Sequence, residues 1–292
     1  MLEQTIERQD VIIKLEDVSY SYPRSGRWVL KKLNLTVRRG ELLVVMGRDG
    51  AGKSTFCKLF NGIIPHQAGG QFLGRVVVDG VDTAGSSVPD LARITAMVLD
   101  DPQTQLFAST VRNEAAFGAE NLLVPADEIE RRVKNAIETV GLSGYEDRVP
   151  GTLSGGEKQR LVIAAALAME GKVLVMDEPT SCLDPAGTAD FFSILKNIRA
   201  EKQMTVIMTS GDSERAAEFA DRICILKEGE LAACDTPRAI FADAALLREN
   251  GIRPPDVCSL ADYLARQGEV LPFFPILTEE GVEALWKWKN AL

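Results

Sequence analysis

Two short stretches carry residue types whose spacing suits phosphate chemistry. In the first, Gly47-Arg48-Asp49-Gly50-Ala51-Gly52-Lys53-Ser54-Thr55, glycines lead to a lysine and two hydroxyls in the pattern G-x-x-x-x-G-K-[ST]. Glycines let the backbone curl so that successive N–H groups aim at the β- and γ-phosphates of a nucleotide. A helix opening at the end of the loop adds its partial positive charge. Lys53 then reaches the β/γ oxygens, and the Ser54 hydroxyl ligates Mg2+. In the second stretch, Val173-Leu174-Val175-Met176-Asp177-Glu178, an apolar run ends in two acids. Asp177 stands near the Mg2+, usually through water, and Glu178 polarises an attacking water as general base. Alone, the pair would equally suit ordinary strand-end carboxylates; the loop upstream favours the chemistry.

The elements around these stretches read as an alternation of strands and helices. Leu42 to Met46 is a continuous apolar run ending at glycine, as in a central strand buried on both faces. Lys53 to Asn61 reads as the helix that follows. Ile12 to Leu15 and Leu33 to Val37 alternate apolar and polar residues, as half-buried strands do. Further strands are expected at 74–78, 94–99, 173–176 and 205–209. Helices are expected at 128–140, 186–200 and 213–220, with a hairpin of 222–227 and 230–234 around Glu228-Gly229. Strands separated by helices imply a mostly parallel sheet, with an antiparallel portion on the N-terminal side. Beyond about residue 240, prolines at 254, 255, 272 and 275 punctuate short helical pieces, 259–266 and 278–289. No internal repeat is visible.

Composition narrows the class. The 292 residues fit two domains, or one large α/β domain with an appendage, at about 150 residues per domain. With 46% hydrophobic and 26% charged residues, disordered and collagen-like structures are excluded. A net charge of −9 argues against a dedicated nucleic-acid binder, which needs clustered positive charge. The longest apolar run, Leu161 to Met169, is far short of the ~20 residues that cross a bilayer. Met1 to Arg8 shows neither the basic nor the apolar region of a secretion leader. The five cysteines (57, 182, 224, 234 and 258), without a Cys-x-x-Cys, read as reduced thiols rather than as a disulfide framework or zinc site. The single histidine, His66, reads as a loop or surface imidazole and supports no metal site alone.

Leu153-Ser154-Gly155-Gly156-Glu157-Lys158-Gln159-Arg160, about 20 residues before Asp177, resembles the signature motif of ATP-binding cassette (ABC) ATPases. Glu178 to Pro185 resembles their segment from the acid pair to the D-loop, with Asp184 as its aspartate. The resemblance implies the ABC-ATPase fold of the P-loop NTPases: a mixed sheet, an antiparallel β subdomain and a helical signature subdomain at about 100–170, within an ATPase domain of residues 12–244. It implies ATP and Mg2+ as cofactors. It also implies a dimer, because Ser154, Gly155, Gly156 and Glu157 open a helix that closes on the nucleotide of an opposite subunit. Tyr22, before Pro23, matches the aromatic that stacks on adenine, or is simply a strand-end tyrosine.

The stretch from Asp101 to Phe107, followed by Thr110-Val111 and Ala116 to Leu122, resembles more closely the ATPases of energy-coupling factor (ECF) vitamin and metal-ion importers, cobalt and nickel systems included. The pattern Leu277-Thr278-Glu279-Glu280 also fits, in an appendage of 245–292 that serves dimerisation there. The implied partners are a second ATPase subunit, a transmembrane scaffold and a membrane substrate-binding subunit, with this chain peripheral on the cytoplasmic face.

Three positions depart from the family pattern. Asp100 stands at the Q-loop glutamine, with Gln103 out of register; Gly211 stands at the switch histidine; Arg48-Asp49 replaces Pro-Asn. A missing preorganised donor typically costs about 10²–10³ in rate. Asp100 adds negative charge, for which Arg48 is the candidate counter-charge. The expectation is therefore a translocase subunit whose own site is partly degenerate and whose intact signature serves a more competent paralogue, a heterodimer rather than a homodimer. The alternatives are a nucleotide-binding regulatory subunit with little catalysis, and a soluble ABC ATPase of DNA repair or translation.

Overall fold

The computed structural model describes residues 10–290. The stretch Met1 to Arg8, read above as carrying no leader, and the last two residues of the appendage lie outside them. In chain order the strands are β1 (Val11–Ser21), β2 (Leu30–Arg38), β3 (Leu42–Met46), β4 (Gln71–Val78), β5 (Val81–Asp82), β6 (Thr95–Val98), β7 (Val173–Met176), β8 (Thr205–Thr209), β9 (Arg222–Lys227) and β10 (Glu230–Asp235). The α-helices are α1 (Lys53–Cys57), α2 (Val88–Ala92), α3 (Val111–Asn121), α4 (Ala126–Thr139), α5 (Gly155–Ala168), α6 (Pro185–Lys202), α7 (Ser213–Phe219), α8 (Pro237–Ala242), α9 (Ala244–Asn250), α10 (Asp256–Arg266) and α11 (Thr278–Lys289).

Two sheets form. β2-β1-β4-β5 is antiparallel, and β10-β9-β3-β8-β7-β6 is parallel except for the β9–β10 hairpin. β3 lies inside the larger sheet, and all five of its residues are buried. The two-residue period of a strand sends its side chains to two different cores. Leu42, Val44 and Met46 pack with the layer of α3 to α6, while Leu43 and Val45 pack with Phe56, Phe60 and the antiparallel sheet. β7 divides in the same way, with Leu174 and Met176 on one side and Val173 and Val175 on the other. This explains why both strands read as unbroken apolar runs. The C-terminal helices are continuous with the first core through Leu247, Cys258 and Ile276.

The helix after the glycine-rich loop is shorter than its sequence suggests. α1 ends at Cys57, where Leu59 and Phe60 switch to hydrogen bonds three residues back, at 3.2 and 3.5 Å. Phe56, Leu59 and Phe60 keep helical spacing for burial, so the apolar pattern outlasts the helix. The thiol expectation needs correction. Cys224 and Cys234 are directly opposed on β9 and β10 and form a disulfide. Hairpin register brings them together, which the spacing of cysteines along the chain does not reveal. Cys57 and Cys258 are buried free thiols and Cys182 is an exposed one; burial pushes Cys258 up to about 12. His66 is exposed, and its Nε2 pairs with the Thr83 carbonyl at 2.8 Å.

Because Leu43 is completely buried, Leu43→Ala is expected to cost about 3 kcal/mol of stability. Urea denaturation would show a lower midpoint with an unchanged slope.

Candidate nucleotide site

The glycine-rich loop leaves the end of β3 and turns into α1. Gly47 passes so close to β9 that a Cβ would lie 2.3 Å from the Leu226 carbonyl oxygen. Gly52 has φ +106°, and a Cβ there would lie 3.0 Å from Leu30 and 3.2 Å from the Val29 oxygen. The backbone is thus pressed against two neighbouring strands, and only glycine fits at these points. The loop's lysine is gathered inward. Its Nζ donates to the Gly47 carbonyl at 3.0 Å and lies 3.4 Å from Glu178 Oε1 and 3.8 Å from Asp49 Oδ1. With its side chain only 10% exposed, this ammonium is a nearly desolvated charge balanced by acids.

Asp177 and Glu178 follow β7, next to β8 in the sheet. Thr209, at the end of β8 and fully buried, links them. Its hydroxyl donates to Asp177 Oδ1 at 2.7 Å and accepts the Glu178 N–H at 2.7 Å. Glu178 has φ +43°, a conformation that costs an L residue about 1 kcal/mol or more; the Thr209 bond helps to hold it. Sequence reasoning missed Thr209. The available signal was a hydroxyl closing the apolar run 205–209, at the same level as Asp177 in an adjoining strand. Cys57 lies behind the acids; burial and then the charges of Asp177 and Glu178 push its thiol well above the ordinary range, so it serves as packing.

The other predicted residues distribute as follows. Tyr22 sits just beyond β1, its hydroxyl 3.1 Å from Thr55 Oγ1 and its ring edge-on to Tyr20. Ser54 is exposed and Thr55 buried. No described residue donates to Asp177 Oδ2, so a hydroxyl and a carboxylate oxygen remain for a hard cation. That donor chemistry fits Mg2+. Among the described residues no group of three or more His, Cys, Asp or Glu could hold a metal, so a cation here would also need phosphate and water oxygens.

Ser154, Gly155, Gly156 and Glu157 begin α5 in a capping box: Glu157 Oε2 accepts the Ser154 N–H at 2.7 Å, and Ser154 Oγ accepts the Glu157 N–H at 3.3 Å. The Ser154 N–H, then its hydroxyl, hold Glu157 below the usual carboxylate range. The carboxylate half of the cap is therefore in place at neutral pH and weakens only as acid protonates Glu157. Among the described residues no hydrogen bond or ion pair joins 154–157 to the loop 47–55. Asp184 caps α6 through the Gly187 N–H at 2.7 Å.

Asp100 is exposed and accepts the Asp101 N–H at 3.1 Å. Gln103 is exposed, and its side chain joins nothing in the site. Gln105, which the motif reading treated only as part of a resemblance, ties this loop to β6 by bonds to the Leu99 N–H at 2.7 Å and the Met97 carbonyl at 3.3 Å. Gly211 lines a cleft of about 470 Å3 with Glu178, Ser181, Thr188, Ser210 and Arg215. A Cβ on Gly211 would touch nothing within 4 Å.

Comparison with known proteins agrees with this geometry. The family model for ABC transporters matches residues 30–181. The chain is 42% identical over 259 residues to the energy-coupling factor transporter ATP-binding protein EcfA of Methanothermobacter thermautotrophicus, covering 88% of this chain and 81% of that one. It resembles cbiO1 of Clostridium perfringens, part of the ABC transporter complex cbiONQ, at TM-score 0.73 and 34% identity over 87% of this chain and 99% of the other. It resembles the ATP-binding cassette MJ0796, solved as a dimer with ADP and Pi, at TM-score 0.68 and 25% identity over 78% and 99% of the two chains. It spans less than half the length of some longer relatives, 45% of one and 44% of another. A phosphate loop on β3, an acid pair on β7, a capped glycine-serine helix start and these matches together place the chain in the ABC transporter family, as an ATP-binding subunit whose ATPase activity is coupled to transport.

Proposed function

We propose that this chain energises an ECF-type importer of a vitamin or transition-metal ion, as one half of a heterodimeric ATPase held peripherally on the cytoplasmic membrane face. The observation that carries the reading is an asymmetry within one site. Lys53 and Glu178 meet at 3.4 Å, with Asp177 fixed beside them through Thr209. Yet Asp100 and Gly211 stand where the family has a glutamine and a histidine. Binding groups are retained, and two polar groups on the γ-phosphate side are replaced.

In this reading the backbone of residues 47–55 and the Lys53 ammonium grip the triphosphate, and Tyr22 receives the adenine on its ring. Ser54 and Asp177 hold Mg2+, which when bound neutralises charge on the β/γ oxygens. Glu178 accepts the proton of the attacking water. Without a side chain, Gly211 gives no donor to the developing charge, and Asp100 adds an opposing charge. Turnover at this site is therefore slow.

The start of α5, exposed at Ser154 and Gly155 and unconnected to the chain's own loop, suits the nucleotide of a partner cassette. Coverage of under half of some longer relatives is the share expected of one cassette in a joined pair. For the membrane scaffold, an exposed edge-to-face pair, Phe107 and Phe117 with centroids 4.6 Å apart, offers apolar surface on the helical layer. The Glu114 carboxylate holds the Phe107 and Ala108 N–H groups at 2.8 and 2.7 Å and so fixes that loop.

The purified chain is expected to bind Mg-ATP by calorimetry, to lose that binding in Lys53→Ala, and to hydrolyse slowly. Gly211→His, for which there is room, is expected to raise turnover about 10²-fold. Vigorous turnover by the unaltered chain alone, abolished by Glu178→Gln, would remove the case for a handicapped site. Turnover unmoved by Gly211→His would favour a regulatory subunit instead.

Thr209→Val removes the hydroxyl between the two acids and leaves the buried Glu178 N–H unpaired. It is expected to cost about 1–3 kcal/mol of stability. Single-turnover hydrolysis should fall further than Mg-ATP affinity, since the acids it orients act on the water and the metal.

A further inference from the structure

The end of α9 and the segment after it touch the phosphate loop and the start of α7. Gly251, at φ +62°, carries the guanidinium of Arg48: a Cβ on Gly251 would lie 2.3 Å from Arg48 Nε and 2.9 Å from its Cζ. The Arg48 side chain forms no hydrogen bond or ion pair with any described residue, so backbone packing places it. Asn250 is 3% exposed; its Nδ2 donates to the Leu246 carbonyl at 2.7 Å, while its Oδ1 is buried without a partner. Arg48 and Asn250 line one cavity of about 210 Å3, with Asp49, Gly50 and Ala51 of the phosphate loop. A few residues on, Ser213 Oγ donates to the Arg253 carbonyl, and Glu214 Oε1 accepts the Asp256 N–H at 2.7 Å. Ser213 and Glu214 open α7, two residues after Gly211.

We propose that Asn250 and Gly251 are positioning residues of the nucleotide site: with the segment 252–256 they form a strap that seats Arg48 on the phosphate loop and keeps its unpaired charge available to the γ-phosphate side. This rests on the ATP-binding reading above. The chemistry is consistent. Arg48 carries five N–H donors and a permanent charge; its cavity is also lined by Asp49, Glu228 and Glu249, with which it forms no ion pair, and the proposed site has lost side-chain donors at Gly211 and Asp100. The strap meets Arg48 through a glycine whose added methyl would overlap the guanidinium and displace it, and it is bolted by two bonds to the helix that follows the switch position. The loose acceptor of Asn250 gives the guanidinium a second resting place inside the cavity. The seat of Arg48 is thus set by residues some 200 positions away in sequence.

A double-mutant cycle on the full chain tests this, with ATP and ADP affinities measured by calorimetry in Mg2+. Gly251→Ala pushes the guanidinium off its seat and is expected to weaken ATP binding about fivefold while leaving ADP binding within about twofold. In an Arg48→Ala background the same change should leave the ATP-to-ADP ratio within about twofold, although the thermal midpoint falls in both backgrounds through strain at the left-handed residue. A second measurement needs no variant: amides of 250–256 should exchange on the order of tenfold more slowly with Mg-ATP than with Mg-ADP. Equal loss of ATP affinity in both backgrounds, or exchange in 250–256 indifferent to the γ-phosphate, overturns the positioning role alone. An unaltered chain that binds no Mg-ATP overturns the proposed function with it.

Discussion

The main chain at Gly47 runs so close to the Leu226 carbonyl that no side chain fits between them, and the nucleotide site is built outward from that contact. It requires β3 and β9 to be paired in one register, with Met46 opposite Ile225. That pairing in turn requires β3 to be buried on both faces, so that two cores clamp it. A strand held from both sides cannot slide, and so the loop that leaves it starts from a fixed point. Such rigidity is what a phosphate cradle needs: N–H groups arranged before the ligand arrives do not have to be reorganised when it does.

The acids reach the loop by the same sheet. β8 pairs with β3 and with β7, which puts the end of β8 between the phosphate loop and the acid pair. A residue there has to serve both neighbours, and Thr209 does so with one hydroxyl, as donor to Asp177 and acceptor from Glu178. Its burial makes that arrangement strict, since each polar group it leaves unpaired would carry a desolvation penalty. The Lys53 ammonium, turned toward Glu178 and the Gly47 carbonyl, closes the circle. A triphosphate entering the loop would compete for that ammonium and release the Glu178 carboxylate; with Glu178 as the proposed base, gripping the substrate and freeing the base would be one event.

How much of this was legible in the sequence follows the range of each interaction. Leu42 to Met46, Val173 to Met176 and Thr205 to Thr209 were readable to the residue, because burial on both faces writes itself as an unbroken apolar run. The loop and the acid pair were readable because their chemistry is local. The helix after the loop was overextended: Phe56, Leu59 and Phe60 are buried at helical spacing even though the backbone has changed its hydrogen-bond pattern by then. Thr209, the Cys224–Cys234 pair and the seat of Arg48 were not readable, since each is made by strands or segments that meet only in three dimensions. A threonine closing a strand is common, and only its alignment with Asp177 gives it a function.

The two ends of the site are also built differently, and this bears on how the chain works with a partner. At the signature helix start Ser154 and Glu157 close each other's N–H groups, so the turn is held in place while the Gly155 and Gly156 amides at its exposed tip stay open toward a second subunit. The switch side is the reverse: Gly211 borders a cleft with nothing near its Cβ position, and the neighbouring helix spends its first two side chains on the strap 252–256. One face is complete and ready to be used by another chain, while the other depends on a distant segment of its own. In the proposed heterodimer such a subunit would give more to its partner's site than to its own, because a preformed donor surface costs little to present, whereas a missing donor must be replaced by whatever the fold can bring within reach of the phosphate. In the proposed reading that replacement falls to Arg48, which pairs with no described residue and is seated on the phosphate loop against Gly251.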